Sequence, residues 1–217
     1  SAQASPLLSG SRPADLVSHT EYDAVGRVSK VYAPYPEEYV ATPAAGNGRY
    51  VGGAAAKSVS YYSNSTNFNE GNNRGYSLTE YEPSPLNRVS KQFAVGSDRS
   101  VVLEYGTNIA NDVRLYTVAA DNSLVNDNVY YGAGQLSKTS TTDENGNLSV
   151  EFKDKNGRVV CKAVQVAKAV GATAAVWQKT YYVYDDLSQL RLVLQPEYQR
   201  EANLSKYAFK YTYNGRG

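Results

Sequence analysis

A five-residue spacing constrains this chain more than any other feature: Asp, two residues, Gly, then Arg followed by an apolar residue. It occurs as YDAVGRV (Tyr22 to Val28) and KDKNGRV (Lys153 to Val159). TDENGNL (Thr142 to Leu148) has Asn147 in the Arg place, and YDDLSQL (Tyr184 to Leu190) has Ser188 and Gln189 in the Gly and Arg places. A looser copy, YEPSPLNRV (Tyr81 to Val89), has a turn two residues longer, and YNGRG (Tyr213 to Gly217) places Asn214 and Gly217 at the Asp and Gly positions. An Asp or Asn opening a turn accepts a hydrogen bond from the backbone N–H two residues on. A Gly three residues after it takes the left-handed conformation that closes a type I turn with a bulge. The spacing therefore predicts β-hairpins, with positive φ at Gly26, Gly146 and Gly157. Ser188 must either take that conformation at a cost or sit in a different turn; the different turn is expected, because the flanking strands are strong enough to pair with several loop geometries.

The flanks supply strands. Tyr207, Phe209, Tyr211 and Tyr213 alternate with Ala208, Lys210 and Thr212, which predicts one strand over Lys206 to Tyr213 with the aromatics on one face. Twenty Tyr and 17 Gly suit half-wet sheets joined by tight turns. The fold expected is all-β, an antiparallel, hairpin-rich sheet or ribbon built from these repeats, with a short helix and long loops inserted. We expect one elongated β domain over residues 1–217, with an insertion at 41–76. Within it, GGAAAKSVSYY predicts a helix from about Ala54 to Tyr61, poorly capped by Gly, and SNSTNFNEGNNRG reads as a loop.

Composition narrows function. The 22 basic and 21 acidic residues leave no electrostatic footprint for nucleic acid. No apolar run approaches the ~20 residues of a membrane-spanning helix, so no membrane insertion is expected. Cys161, in RVVCKAV, reads as a packed thiol. The start at SAQASPLLSG, without Met, reads as a processed or excised piece.

Catalytic, metal and nucleotide sites each find a weaker reading than the turn. His19 stands beside Thr20 and Glu21 with no nucleophile motif. Asp143, Asn145 and Asn147 alternate as calcium ligands do, but Gly146 stands where a hairpin needs it rather than at the sixth position of a calcium loop. GNGRYVGG (Gly46 to Gly53) has its third Gly one residue late for a dinucleotide fingerprint and lacks a βαβ unit. Asp185 and Asp186, amid three tyrosines, could pass for paired catalytic carboxylates; the recurrence of the turn assigns Asp185 to structure. We expect no catalytic, metal-binding or cofactor-binding residue, no cofactor and no enzyme activity.

The repeat Y-D-x-x-G-R-L resembles the YD repeat of RHS (rearrangement hot spot) proteins. The ordered segments DLVSHTEYDAVGRVSKVYAPY, YEPSPLNRVSKQFAVG, EYGTNIANDVRLYTV, GQLSKTSTTDENGNLSVEFKDKNGRVVCK and TYYVYDDLSQLRLVLQP resemble the amino-terminal RHS region of secreted or cell-surface proteins of Bacteroidetes, where a domain of unknown function is described. The resemblance implies a secreted or bacterial-surface location and a structural role: part of a β-strand shell or ribbon enclosing or presenting a carboxy-terminal cargo such as a toxin. The partners implied are the rest of a larger polypeptide, with further YD repeats, and that cargo. An open edge at Lys206 to Tyr213 would allow self-association. The alternative is a glycan-binding module that uses exposed Tyr-rich sheet faces.

Overall fold

The computed structural model describes residues 2–4, 14–38, 50–64, 74–119, 121, 123–126, 128–168, 170 and 174–214. Its contacts divide the chain into two compact units, Ser1–Val101 and Val102–Gly217. Both are built from antiparallel hairpins, and the helices are short.

The first unit holds β1 (Ala2–Ala4), β2 (Ala14–Val17), β3 (Thr20–Tyr22), β4 (Val28–Tyr32), β5 (Tyr35–Glu38), α1 (Ala54–Ser63), β6 (Tyr76–Tyr81) and β7 (Val89–Phe93). β1, β2 and β5 form one antiparallel sheet with β2 in the middle. β3, β4, β6 and β7 pair in that order. The helix falls where alanines and few β-branched residues favour it, and it is two residues longer than expected. Gly53, with φ +69°, leads into it without any side-chain cap. Its Ala54 joins Val17 and Tyr35 in a small core flanked by Val51, Tyr61 and Tyr62. Ser58, fully buried, donates from Oγ to the Ala33 carbonyl at 3.1 Å, so the helix is tied to the chain entering β5. Gly75 has a plain steric reason: a Cβ there would lie 2.8 Å from the Tyr62 side chain.

The second unit comprises β8 (Ser100–Thr107, which begins at the boundary), β9 (Thr117–Val118), β10 (Leu124–Val125), β11 (Ser137–Thr142), β12 (Leu148–Lys153), β13 (Val159–Ala167), β14 (Val176–Tyr184), β15 (Leu190–Leu194), α2 (Tyr198–Glu201), α3 (Leu204–Tyr207) and β16 (Ala208–Lys210). Seven of the strands pair in the order β8, β11, β12, β13, β14, β15, β16, all antiparallel. Period-two alternation and register together build the core. Phe152 stands opposite Cys161, Cys161 opposite Tyr181, and Tyr181 opposite Leu194, so one face carries a continuous apolar row. Val150 with Ala163, and Val183 with Leu192, extend it on either side. The reverse face is polar over β12 and β13, where Glu151 accepts from both Lys153 and Lys162.

The excursion between β8 and β11 covers the apolar face. Val113, Tyr116 and Leu136 enter the core from it, and Tyr116 meets Tyr181 edge-on at 4.9 Å. Its base is closed by Asn108, only 1% exposed. The Asn108 Oδ1 accepts from the Leu136 N–H at 2.8 Å, and its Nδ2 donates to the Gly132 carbonyl at 2.9 Å. A buried amide satisfied on both sides fixes where the excursion leaves and rejoins the sheet.

The strand expected over Lys206 to Tyr213 is shorter. Leu204–Tyr207 form a helical turn, because Asn203 caps it by accepting from the Lys206 N–H, and only Ala208–Lys210 pair with β15. The four aromatics therefore do not share one face. Tyr207 and Ala208 pack on the core, whereas Phe209 is 59% exposed.

Leu194, fully buried at the β15 end of the apolar row, is the sharpest test of this core. Leu194→Ala should destabilise the chain by about 2–5 kcal/mol, read as a fall in the urea midpoint at unchanged slope.

Candidate functional site

The four five-residue turns have one construction. In each, the backbone N–H of the Asp donates to the carbonyl four residues on: Asp23 to Arg27 at 2.8 Å, Asp143 to Asn147 at 3.0 Å, Asp154 to Arg158 at 2.9 Å and Asp185 to Gln189 at 3.0 Å. The residue three positions on donates back to the Asp carbonyl, at 2.9–3.0 Å in all four. The Asp Oδ1 accepts two further backbone N–H groups, from the second and fourth following residues, at 2.8–3.0 Å. Gly26, Gly146 and Gly157 have φ of +85°, +79° and +77°. The register shifts by one residue beside Tyr22, Lys153 and Tyr184, as a bulge requires.

Ser188 corrects the expectation. It takes φ +64° in the same turn as the glycines rather than in a different one. The cost of a left-handed non-glycine residue is offset from outside the turn, because Arg158 donates from Nη1 to Ser188 Oγ at 3.0 Å. The longer turn repeats the device: Asn87, at φ +54°, accepts from Arg27 Nη1 at 3.2 Å. In both of these turns a polar side chain stands in the Gly place and the preceding hairpin delivers an arginine to it.

The other atom of each carboxylate holds that arginine. Arg27 Nε donates to Asp23 Oδ2 at 2.6 Å and Arg158 Nε to Asp154 Oδ2 at 2.7 Å. In the third hairpin the Arg place holds Gln189, and Arg191, two residues on, reaches Asp185 Oδ2 at 2.7 Å while donating to Gln189 Oε1 at 2.9 Å. In the longer turn a longer acid serves: Glu82 takes both Nε and Nη2 of Arg88, at 2.7 and 2.8 Å.

Three of these guanidinium groups, those of Arg27, Arg158 and Arg191, lie under the tyrosine of the next hairpin. Arg27 stacks on Tyr81 at 4.3 Å, Arg158 on Tyr184 at 5.0 Å and Arg191 on Tyr213 at 4.9 Å. In every case the tyrosine hydroxyl donates to a backbone carbonyl of the hairpin that holds the arginine: Tyr81 to Val28 at 3.0 Å, Tyr184 to Val159 at 3.0 Å, Tyr213 to Leu190 at 2.8 Å. Carboxylate, guanidinium, ring and carbonyl thus form a lock between neighbouring hairpins. Its sequence signal was the Tyr recurring before the acid of the next turn, which turn chemistry alone does not explain. Where Asn147 replaces Arg, Asp143 is held only within its own hairpin, by Asn147 Nδ2 at 2.8 Å.

Asp185 and Asp186 do lie on a cleft, of about 330 Å³, lined by Tyr116, Tyr131, Tyr182 and Tyr184 together with Arg158. They are not equivalent. Asp185 spends both oxygens on the turn and on Arg191, whereas Asp186 is exposed, with no hydrogen bond or ion pair among the described residues. This leaves one accessible carboxylate beside aromatic rings and a cation, an arrangement suited to binding a polar ligand. Of the remaining sequence candidates, His19 packs on Tyr32 with ring centroids 5.5 Å apart. Cys161 is fully buried, and burial pushes its thiol up to about 12, far from thiolate chemistry at neutral pH. Gly46 to Arg49 lie outside the described residues, as do residues 65–73 of the segment SNSTNFNEGNNRG, expected to be a loop, and Gly215 to Gly217 of YNGRG. No helix among the described residues is long and apolar enough to cross a membrane.

Two expectations follow from the lock. Ser188→Ala keeps the strained φ but loses the arginine bond and should cost about 1 kcal/mol, whereas Ser188→Gly loses the bond and relieves the strain, staying within about 0.5 kcal/mol of the parent. Chemical denaturation of both variants separates the two terms. The second expectation is acid sensitivity. The Asn147 side-chain and backbone N–H groups hold the Asp143 carboxyl below the ordinary range, as the Arg88 guanidinium and Ser84 do for Glu82. Partial burial pushes Asp23 and Asp185 up, but the turn N–H groups and Arg27 or Arg191 outweigh it, leaving both below the ordinary range. Carboxyls depressed on folding stabilise the fold above their unfolded pKa of about 4, and that contribution is lost as pH falls through the lower folded values. The urea midpoint should hold between neutrality and pH ~5 and drop steadily below pH ~4.

Residues 1–104 match the family model described as a domain of unknown function (DUF6443). The match ends close to the boundary of the first compact unit, and no curated protein matches the chain.

Proposed function

We propose that this chain is a non-enzymatic wall segment of a larger RHS/YD-repeat protein, secreted or displayed on a bacterial surface of the Bacteroidetes type, whose hairpins form part of a shell or ribbon around a carboxy-terminal cargo such as a toxin. The observation that carries this reading is the lock repeated at Arg27–Tyr81, Arg158–Tyr184 and Arg191–Tyr213. A catalytic constellation is made once, at one place; these side chains recur at the joints between hairpins and spend their polar atoms on one another. Among the described residues β16 ends the second unit's sheet paired on one side only, which suits continuation by a further hairpin or, in the isolated chain, pairing with another copy. The test is protease protection of the carboxy-terminal polypeptide in the natural full-length protein. Protection that is lost in an Arg158→Ala, Arg191→Ala variant supports a wall held by these locks; a carboxy-terminal region cleaved equally fast in both overturns it.

One observation favours a second reading, a glycan-binding module. The tyrosine-lined cleft beside exposed Asp186 offers ring faces for a sugar and a carboxylate for its hydroxyls. Glycan-array binding abolished by Asp186→Ala and Tyr182→Ala would support it, and an array without signal removes it.

A further inference from the structure

The lock leaves one tyrosine over. Four tyrosines precede the opening acid or amide of a turn: Tyr22, Tyr81, Tyr184 and Tyr213. Three are docked on the arginine of the preceding hairpin. Tyr22 is 62% exposed, and among the described residues it has no ring contact, no cation over its face and no hydroxyl partner.

The docked three share a register. The ladders set Lys30 opposite Leu78, Cys161 opposite Tyr181 and Leu192 opposite Lys210. Continued outward, they bring the accepting carbonyls of Val28, Val159 and Leu190 opposite Glu80, Val183 and Thr212. The locking tyrosine is the next residue each time. The tyrosine therefore reads one defined position on its neighbour: the carbonyl just past the turn, beside the arginine the turn acid holds. Thr142 and Lys153 occupy the tyrosine place in the two hairpins whose neighbouring strands, β8 and β11, follow no Asp-x-x-Gly-Arg turn.

The backbone beside Tyr22 is equally prepared. Among the described residues β3 is the last strand of its sheet and pairs with β4 alone. The His19 carbonyl accepts from the Tyr32 N–H, and the Asp23 N–H donates to the Arg27 carbonyl. Antiparallel alternation then turns the Glu21 groups toward β4 and the N–H and C=O of Thr20 and Tyr22 outward.

We propose that the β3 edge is a docking site for one more hairpin of this class, closed by an Asp-x-x-Gly-Arg turn and supplied by polypeptide outside these 217 residues. It pairs with Thr20 and Tyr22, places its turn arginine on the Tyr22 ring and accepts the Tyr22 hydroxyl on the carbonyl past that arginine. Continuity with the three locks inside the chain identifies the occupant. A second copy is disfavoured, because Arg27, Arg158 and Arg191 already lie under their own tyrosines. Gly26 gives the incoming arginine no side-chain oxygen of the kind Asn87 and Ser188 provide, so ring and carbonyl carry the contact.

This inference rests on the wall-segment reading and names the partner of its first hairpin. The probe is a backbone-cyclised peptide spanning Leu148–Val164, with Cys161 replaced by Ala, titrated into the whole chain and followed by nuclear magnetic resonance. The expected result is slowed amide exchange at Thr20 and Tyr22 and shifted Tyr22 ring protons. Binding should weaken about tenfold for the peptide carrying Arg158→Ala, whose hairpin the cyclisation keeps closed, and several-fold for the chain carrying Tyr22→Phe. An unperturbed β3 at millimolar peptide overturns the proposal, as does equal binding of the Arg158→Ala peptide. Protection of the same amides by self-association of the chain alone, seen in sedimentation, would name a second copy as the occupant and also overturn it. Protease protection in the full-length protein is independent of each of these outcomes, so either idea can fail without the other.

Discussion

A carboxylate that accepts three hydrogen bonds at once organises the hairpins of this protein. In the turn opened by Asp154, one oxygen collects two backbone N–H groups that the reversal would leave unpaired, and the other grips Arg158. The first pair of bonds fixes the turn; the second fixes a long, flexible side chain that would otherwise lose rotamer freedom for little return. Only a guanidinium already held flat can serve as a surface for the next tyrosine. The order of dependence runs from turn to arginine to neighbouring strand, so loosening the acid loosens two hairpins at once.

Burial supplies the driving force and the locks supply the registration. In the second unit the apolar row from Phe152 to Leu194 is common to four strands, and slipping any of them by one residue would turn its row to solvent. Slipping by two would keep the row buried. The lock resists that error, since Tyr184 would then miss both Arg158 and the Val159 carbonyl. Polar contacts at the sheet's end thus discriminate against the one misregistration that hydrophobicity tolerates.

Much of this was legible in the chain. The spacing from Asp to Gly announced the turns and the signs of φ at Gly26, Gly146 and Gly157, because those depend on a few consecutive residues. The helix at Ala54–Ser63 was equally local. What escaped reading was set by partners distant in sequence. Ser188 adopts the glycine conformation because Arg158, thirty residues earlier, reaches its hydroxyl. Arg191 does the work of a turn arginine from two positions along, which a fixed motif cannot register. The strand expected from Lys206 gave way to a helical turn because Asn203 caps it, although the tyrosine alternation looked regular. The cleft beside Asp186 needed the excursion between β8 and β11 to fold back over the sheet, and no local pattern announces that.

Each arginine-bearing turn carries one carboxylate and one guanidinium, paired within the same hairpin. A protein made by repeating such hairpins adds charge in cancelling pairs, so its length is decoupled from its net charge, as the 22 basic and 21 acidic residues here illustrate. Self-repulsion, which penalises compact states of strongly charged chains, would not grow with the number of hairpins. The device that sets the geometry of one joint therefore also removes an electrostatic ceiling on how many joints a single polypeptide can contain.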